Sequence, residues 1–486
     1  LKNAIRLYKK ISRTEEVAEH FQHLEFELNE KFGINMLDLY TGCQKPLTHE
    51  RIAQEAFLAF ILTEIGEDKP IEGAGDLIKN LLDETYAEFI ENPRLFDPSA
   101  DKKLTTWAWS QPEAQTRLKE KNITWWTLEQ LAIAKGEYKI ATDIHRFVVP
   151  TLMDLIGILP RSKTIASLFT GGSGRETITL AQRKLQTFVN SYPSLSKAST
   201  FNYELSDICV IDLGKISKDQ TPNGRRATSL GFMAARKVLA KSMLFSRDLL
   251  EEMPEAARMV YKEDVERLDT VNKYFLYDEL HRMSGIKMIT DVIEDDGRTL
   301  RKHNGFTGGF SQMYTDFTPA MASNSTTRVI MRVDKESEAK GLSEMYGWTS
   351  STQEALRTQV KGAGRDGATF MMNATALQNM PDGTTINEST QVLKSFIGPT
   401  WLAAFSTNRA DMALLSAVED AGVPYEDAIR LLASIYGGSI NNLVRENMMK
   451  LRENKQTAEE ESEVRSLISP FVDKIVNSYN EERKRR

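Results

Sequence analysis

Over the first 200 residues the apolar positions recur every three or four residues. Leu77, Ile78, Leu81, Leu82, Tyr86 and Phe89 fall on one face of a helix. Asn92-Pro93 and Phe96-Asp97-Pro98 then end it. The pattern changes near residue 205. Ile208-Cys209-Val210-Ile211-Asp212-Leu213 is a near-continuous apolar run, as in a strand buried on both faces. A long helix is expected over roughly 228–265, broken around Pro254, followed by a short strand at Tyr274–Tyr277 and a helix near 280–300. A Gly-rich strand at Gly305–Gln312 and further strands at Thr327–Val333 and Ala368–Asn373 come next. Ser351 and Glu354 read as a capping box that opens a helix running to about Val360. From Ser389 the pattern is helical again, through Leu393, Phe396, Trp401, Leu402 and Phe405, then Ala413 to Leu432. Strands alternating with helices predict an α/β fold with a mostly parallel sheet. The expected division is a large all-α region at 1–202, the α/β core at 203–388 and a helical C-terminal segment at 389–486.

Composition narrows this picture. The chain has 486 residues, 41% hydrophobic and 27% charged, enough for several domains around ordinary cores. Its net charge of −6 demands no nucleic-acid surface. Four of the six tryptophans lie between Trp107 and Trp126 without a matching basic stripe, so they read as packing anchors. Cys43 and Cys209 are the only cysteines and lack metal-ligand spacing, which suits a reducing cytosol. No secretory signal is visible, and the most apolar segment, Ala56 to Leu62, is far shorter than the about 20 residues a span requires. The chain opens on Leu1, and a longer parent polypeptide is therefore expected. The last turn, Glu481 to Arg486, reads as a solvated helix end.

The densest chemistry lies at Lys273-Tyr-Phe-Leu-Tyr-Asp-Glu-Leu-His-Arg282. An apolar run stops at two adjacent acids, Asp278 and Glu279, with His281 and Arg282 behind. In a nucleotide hydrolase, one acid at a strand tip holds a hydrated Mg²⁺ and the next polarises the attacking water. A helix that merely starts with acids is the bland alternative. A zinc site lacks its pattern, since the six histidines form no complementary pair. Downstream come Arg301-Lys302-His303-Asn304 and a strand ending in Ser311-Gln312. The Gln312 amide is suited to touch a γ-phosphate and a water together. No Gly-x-x-x-x-Gly-Lys-Ser/Thr loop occurs. The nearest imitation, Gly171-Gly172-Ser173-Gly174-Arg175-Glu176-Thr177, lacks the lysine and reads as a loop. Alone, the chain is expected to bind ATP weakly or not at all.

The Asp278-Glu279-x-His281-Arg282, Arg301-Lys302-x-Asn304 and Ser311-Gln312 blocks resemble the second half of the large RecA/HerA-like ATPases of type IV secretion and conjugation machines. The nearer resemblance is to the IcmB/DotO branch of the Dot/Icm system, strongest from about 205 to 375. It implies a RecA-like core whose phosphate loop lies upstream of a helical insertion, here residues 1–202. It implies ATP and Mg²⁺ as cofactors, with Mg²⁺ at Asp278, catalysis by Glu279 and Gln312, and nucleotide contacts from Arg301, Lys302 and Asn304. It further implies a homo-hexamer with sites between subunits, completed by an arginine from the neighbour. Arg365, in the Gly362–Gly367 loop, is the candidate, with Arg328 and Arg332 as runners-up and a solvated loop arginine as the alternative. Location would be cytoplasmic, peripheral to the inner membrane, among other ATPase and inner-membrane subunits and exported protein or protein–DNA substrates. Two other readings stay open: a non-catalytic docking subunit that recruits another hexameric ATPase, and a DNA-translocating motor.

Overall fold

The computed structural model describes residues 21–28, 32–65, 67, 69–200, 207–216, 221–283, 286–364, 367–380, 383–453 and 460–485. They fall into two compact units that divide between Asn324 and Ser325. The expected boundaries at 202/203 and 388/389 do not coincide with this division. The helical region and the acid-pair strand share one unit because their cores merge through helices on both sides of residue 203.

In the N-terminal unit the long elements are β1 (Phe21–Glu25), α1 (Thr48–Leu62), α2 (Ala74–Glu91), α3 (Gly172–Ser191), β2 (Ile208–Asp212), α4 (Pro222–Met243), α5 (Glu255–Asp269), β3 (Lys273–Tyr277), α6 (Lys287–Thr299) and β4 (Gly305–Gly309). The apolar stripe of α2 is buried as the spacing predicts. It joins Phe57, Leu58 and Ile61 of α1, Leu185 and Phe188 of α3, and Leu230 and Ala234 of α4. Short helices between α2 and α3 pack around Trp125, which stacks on Phe147 at 4.4 Å and meets the edge of Phe96 at 4.7 Å. Trp125 is thus a packing anchor.

Phe32 to Leu47 is irregular, yet much of it runs through the core. Buried backbone polar groups must find partners, and here side chains supply them. The Lys237 ammonium donates to the carbonyls of Met36 and Asp38 at 3.1 and 2.8 Å. Tyr86 donates to Leu37 O at 3.0 Å. Glu129 accepts from Gly42 N at 2.7 Å while holding His145 Nδ1 at 2.8 Å. Glu50 accepts from Leu47 N at 2.9 Å. Burial pushes the Glu50 carboxyl up to about 7, against the pull of Lys237 and the Leu47 hydrogen bond.

Several expectations are corrected. The first 200 residues are not all helical, because β1 pairs in parallel with β2 from Phe21↔Ile208 to Glu25↔Asp212. The β2 run is not buried on both faces; Ile208 is more than half exposed. The long helix expected over 228–265 is three helices, Pro222–Met243, Arg247–Glu252 and Glu255–Asp269. Their breaks fall where Ser246 and Pro254 act as N-caps. Gly171–Thr177 is not a loop. Gly171 caps α3, and a Cβ on Gly174 would lie 2.9 Å from the Phe169 backbone, so close chain passage accounts for that glycine.

No continuous parallel sheet unites the strands among the described residues. The β3–β4 pair is parallel and two-stranded. In the C-terminal unit β5 (Thr327–Ile330), β6 (Gly362–Gly364), β7 (Gly367–Met380) and β8 (Gly383–Ser395) form an antiparallel sheet. The β7–β8 ladder runs from Ala368↔Ser395 to Met380↔Gly383, so Leu393 lies in a strand rather than a helix. The helix opened near Ser351 is capped by Thr349 instead, whose hydroxyl accepts from Thr352 N at 3.3 Å. Helices from Pro399 to Arg485 then pack on Leu414, Leu432 and Ile475. Their turns gather on buried Asp411, which accepts from Ser439 Oγ and Ile440 N at 2.7 Å each. No described helix is long and apolar enough to cross a membrane.

The Glu50 environment makes stability depend on pH. Its folded carboxyl titrates near 7, above the roughly 4.3 of an unfolded glutamate. The folded state therefore holds the extra proton between those values. This contribution is full below the unfolded pKa and is lost as pH rises through 7. Glu50→Gln should be stabilising relative to wild type at pH 8 by comparison with its effect at pH 5. Urea midpoints at the two pH values test this; an unchanged mutant–wild-type difference would refute it.

Candidate functional site

β3 follows α5 and alternates inward and outward. Phe275 and Tyr277 face inward, against Phe232 of α4 and Ile289 and Ile293 of α6. Lys273 is also buried, its ammonium donating to Phe245 O at 2.9 Å. The strand's far end is fastened by a buried polar cluster. The Tyr277 hydroxyl donates to Asp296 Oδ2 at 2.5 Å, and Arg236 grips the same carboxylate with Nε at 3.0 Å and Nη2 at 2.5 Å. Asp296 is only 2% exposed. Burial, followed by the Asp296 charge, pushes the Tyr277 phenol well above its usual range. The phenol therefore remains a hydrogen-bond donor.

At this fastened end the chain turns sharply. Asp278 is exposed and accepts the Glu279 amide hydrogen at 2.9 Å. Glu279 has left-handed backbone angles, φ 51° and ψ 48°, which a residue with a Cβ adopts only at a cost. Two main-chain bonds hold the turn: Phe310 N donates to Tyr277 O and Leu280 N to Phe310 O, each at 2.9 Å. The Glu279 carboxylate is half-exposed and pairs with Arg282 Nε at 2.5 Å. The apolar run reads as a buried strand, but Tyr274, Leu276 and Phe306 stand 66%, 60% and 51% exposed on the outer face, with the Tyr274 and Phe306 rings stacked at 5.5 Å.

The β3–β4 register, Lys273↔Gly305 to Tyr277↔Gly309, fixes which candidates share an edge. β4 stops at Gly309, and the next turn carries Ser311, which donates to Asp316 at 2.5 Å, and exposed Gln312. Asp278, Glu279 and Gln312 therefore lie beyond the same, C-terminal edge of the pair. Arg301, Lys302 and Asn304 lie just before β4, at the opposite edge. The strand between spans four residue steps, about 13 Å. Asn304 there donates to Asp269 O at 2.7 Å, a bond that ties the start of β4 to the end of α5. The structure does not bring these three to the acid pair.

The arginine candidates also separate. In the C-terminal unit Arg328 donates to Asn373 Oδ1 at 2.5 Å and Ser325 O at 2.8 Å and lies over the Tyr346 ring. That engagement makes it a sheet-to-helix tie. Exposed Arg332 pairs with Asp334 at 2.7 Å. Arg365 lies outside the described residues.

Asp296 and Arg236 were missed by sequence reasoning. A signal existed: Asp296 stands on the stripe of Ile289, Ile293 and Leu300, where an apolar residue would ordinarily sit. A carboxylate there requires a buried partner.

As a donor set, Asp278 offers an accessible carboxylate beside the half-exposed Glu279, and no group of three acids, histidines or cysteines gathers among the described residues. This suits Mg²⁺ carried with its own waters and substrate phosphates, which asks for one or two carboxylates rather than a protein cage. No family model matches the chain, and no curated protein matches it. Among solved structures the chain is similar to a bacterial conjugative coupling protein, TrwBdeltaN70, in an unbound monoclinic form. Identity is 10%, covering 79% of this chain and 74% of that one, with a TM-score of 0.31. At that score the functional reading rests on the residues themselves.

The clamp beneath the site makes a measurable prediction. Asp296→Ala leaves the partly buried Arg236 without its partner and should cost about 3 kcal/mol, the lower end for a buried pair. Tyr277→Phe removes a single bond to a charged group and should cost about 1.5–3 kcal/mol. Urea unfolding followed by far-ultraviolet circular dichroism checks both. Equal, near-zero losses would show that the cluster does not hold the strand.

Proposed function

We propose that the β3 tip is one half of an ATP-hydrolysing site in a motor of the type IV secretion and conjugation class. The observation that carries this reading is the acid pair. Two adjacent carboxylates sit at the C-terminal end of a parallel strand, in a strained turn, beside the loop bearing Gln312. Parallel strands present ligands at this edge, and left-handed backbone at a charged residue is a recurring mark of functional turns.

The positions of these residues support the following roles. Asp278, exposed and free of ion pairs among the described residues, would hold Mg²⁺ through water. Glu279 would orient the attacking water once its carboxylate leaves Arg282. Gln312 would report the γ-phosphate from the adjoining loop. Arg365, Arg328 and Arg332 remain candidates for reaching a neighbouring subunit's site in a homo-hexamer, although the bonds of Arg328 favour a structural role. Arg301, Lys302 and Asn304, at the other edge, would contact nucleotide only from a different subunit.

The phosphate-binding half must come from a segment with the missing loop. The open outer face of β3–β4 supports this. Parallel sheets are normally covered on both faces, whereas Tyr274, Leu276 and Phe306 stand bare. A further strand and helix seated there would complete a RecA-like core. The complete motor would act in the cytoplasm against the inner membrane, energising assembly or export of protein or protein–DNA substrates, with closest kinship to the IcmB/DotO branch.

One observation favours a docking subunit as the second reading. Phe396, Ile397, Trp401 and Phe405 are exposed near the start of the C-terminal helices, with Trp401 and Phe405 stacked at 5.4 Å. Such a patch suits protein contact.

In the polypeptide that includes the phosphate loop, Glu279→Gln should lower ATP turnover about 100-fold or more while leaving nucleotide affinity near wild type. A steady-state phosphate-release assay with a parallel nucleotide titration measures both. Unchanged turnover removes Glu279 from the mechanism. Leu276→Asp should leave the folded chain intact yet abolish turnover by blocking the cover of β3; normal activity would show that this face stays open in the working protein.

A further inference from the structure

A cleft lies away from the acid pair, within the helical part of the N-terminal unit. It measures about 330 Å³ and is walled by Ile61–Ile65 at the end of α1, the last turns of α3 and the start of α4. Ligand sites begin near that size. Its lining divides by chemistry. Ile61, Ile65, Phe188 and Tyr192 form an apolar side, with the Tyr192 and Phe188 rings 5.0 Å apart. Arg183, Lys184 and Arg226 form a cationic side, against one acid among the described lining residues, Glu64.

The three cations are not equivalent. Arg226 is committed to structure: its guanidinium donates to the carbonyls of Phe60, Ile61 and Thr63 at 3.2–3.3 Å and lies over the Phe60 ring. It thereby caps the end of α1. Lys184 is largely buried, its side chain 13% exposed, and pairs at 2.5 Å with Glu64, which is 60% exposed. The lysine is held by the fold and its partner is the loose one. The exposed Arg183 side chain makes no hydrogen bond or ion pair among the described residues. The first turn of α4, where acids ordinarily offset the helix dipole, contains no acid, and Arg226 follows in the second turn. Positive potential from two sources thus meets in one cleft, opposed among the described lining residues by an exposed glutamate.

We propose that this cleft binds a mononucleotide-like organic phosphate, its phosphoryl oxygens between Arg183 and Lys184 and its ring against Tyr192. Glu64 acts as a tethered competitor: the ligand displaces it from Lys184. Planar bidentate donation from Arg183 suits a phosphoryl group, and the Tyr192 face supplies stacking surface.

This site does not depend on the acid-pair assignment, and the test keeps them apart. Isothermal titration uses the 486-residue chain carrying Asp278→Asn and Glu279→Gln, with AMP and, separately, inorganic phosphate as probes. Saturable AMP binding is expected, weakened about tenfold or more by Arg183→Glu, the equivalent of one charge-assisted hydrogen bond. Glu64→Gln should instead tighten AMP binding, a gain that mere loss of structure would not produce. Melting curves confirm that the exposed Arg183→Glu change leaves the fold intact. Absence of AMP binding, binding unmoved by Arg183→Glu, or inorganic phosphate binding as tightly as AMP would overturn the proposal.

Discussion

The Asp296 carboxylate beneath β3 bears on everything the acid pair can do. It is taken out of water among Ile289, Ile293 and Leu300, which is tolerable only because Arg236 and Tyr277 saturate its oxygens. The same bonds join three elements. Arg236 comes from α4, Asp296 from α6 and Tyr277 from the last residue of β3. The chain therefore reaches Asp278 and Glu279 from a fixed point, and the strained turn at Glu279 is borne by main-chain bonds to Phe310 rather than relaxed away. A buried ion pair adds little net stability over an apolar substitute, but it is strict about geometry. At the proposed site, where carboxylates would face a phosphate, geometry is the more useful property.

A second constraint runs through the helical part of the unit. An irregular segment near Phe32–Leu47 crosses the core and must find donors and acceptors off its own backbone. Lys237, Tyr86, Glu129 and Glu50 provide them from four different helices. Buried charge is the result, and with it the raised Glu50 carboxyl. The β3–β4 pair shows the opposite condition, with apolar rings bare on one face. One region is closed at the expense of ionic burial, and the other is open where a parallel sheet ordinarily continues.

Local periodicity was a good guide wherever one helix face met one core. The α2 stripe and the packing role of Trp125 were legible in that way. So was the apolar run ending at the acids, because a strand leading into a turn is a local event. Long-range pairing was less legible. Apolar β-branched stretches read equally as parallel or antiparallel strands, and β7 and β8 pair antiparallel. The grouping of Arg301, Lys302 and Asn304 with the acids came from their order along the chain. Strand direction separates them, since in a parallel pair the residues before β4 and the residues after β3 lie at opposite edges.

By itself, the sequence determined the helical periodicities, the acid pair with its strand, and the lack of a phosphate-loop motif. These depend on neighbours a few positions apart, and such spacing is written directly in the chain. The tertiary structure alone decided that Asp278, Glu279 and Gln312 share an edge, that Arg328 is bound into its sheet, that Asp296 anchors the site, and that one face of β3 is bare. Each of these depends on which distant segments meet and on what water is excluded when they do. Burial changes the cost of a charge, and strand direction changes which end a residue occupies.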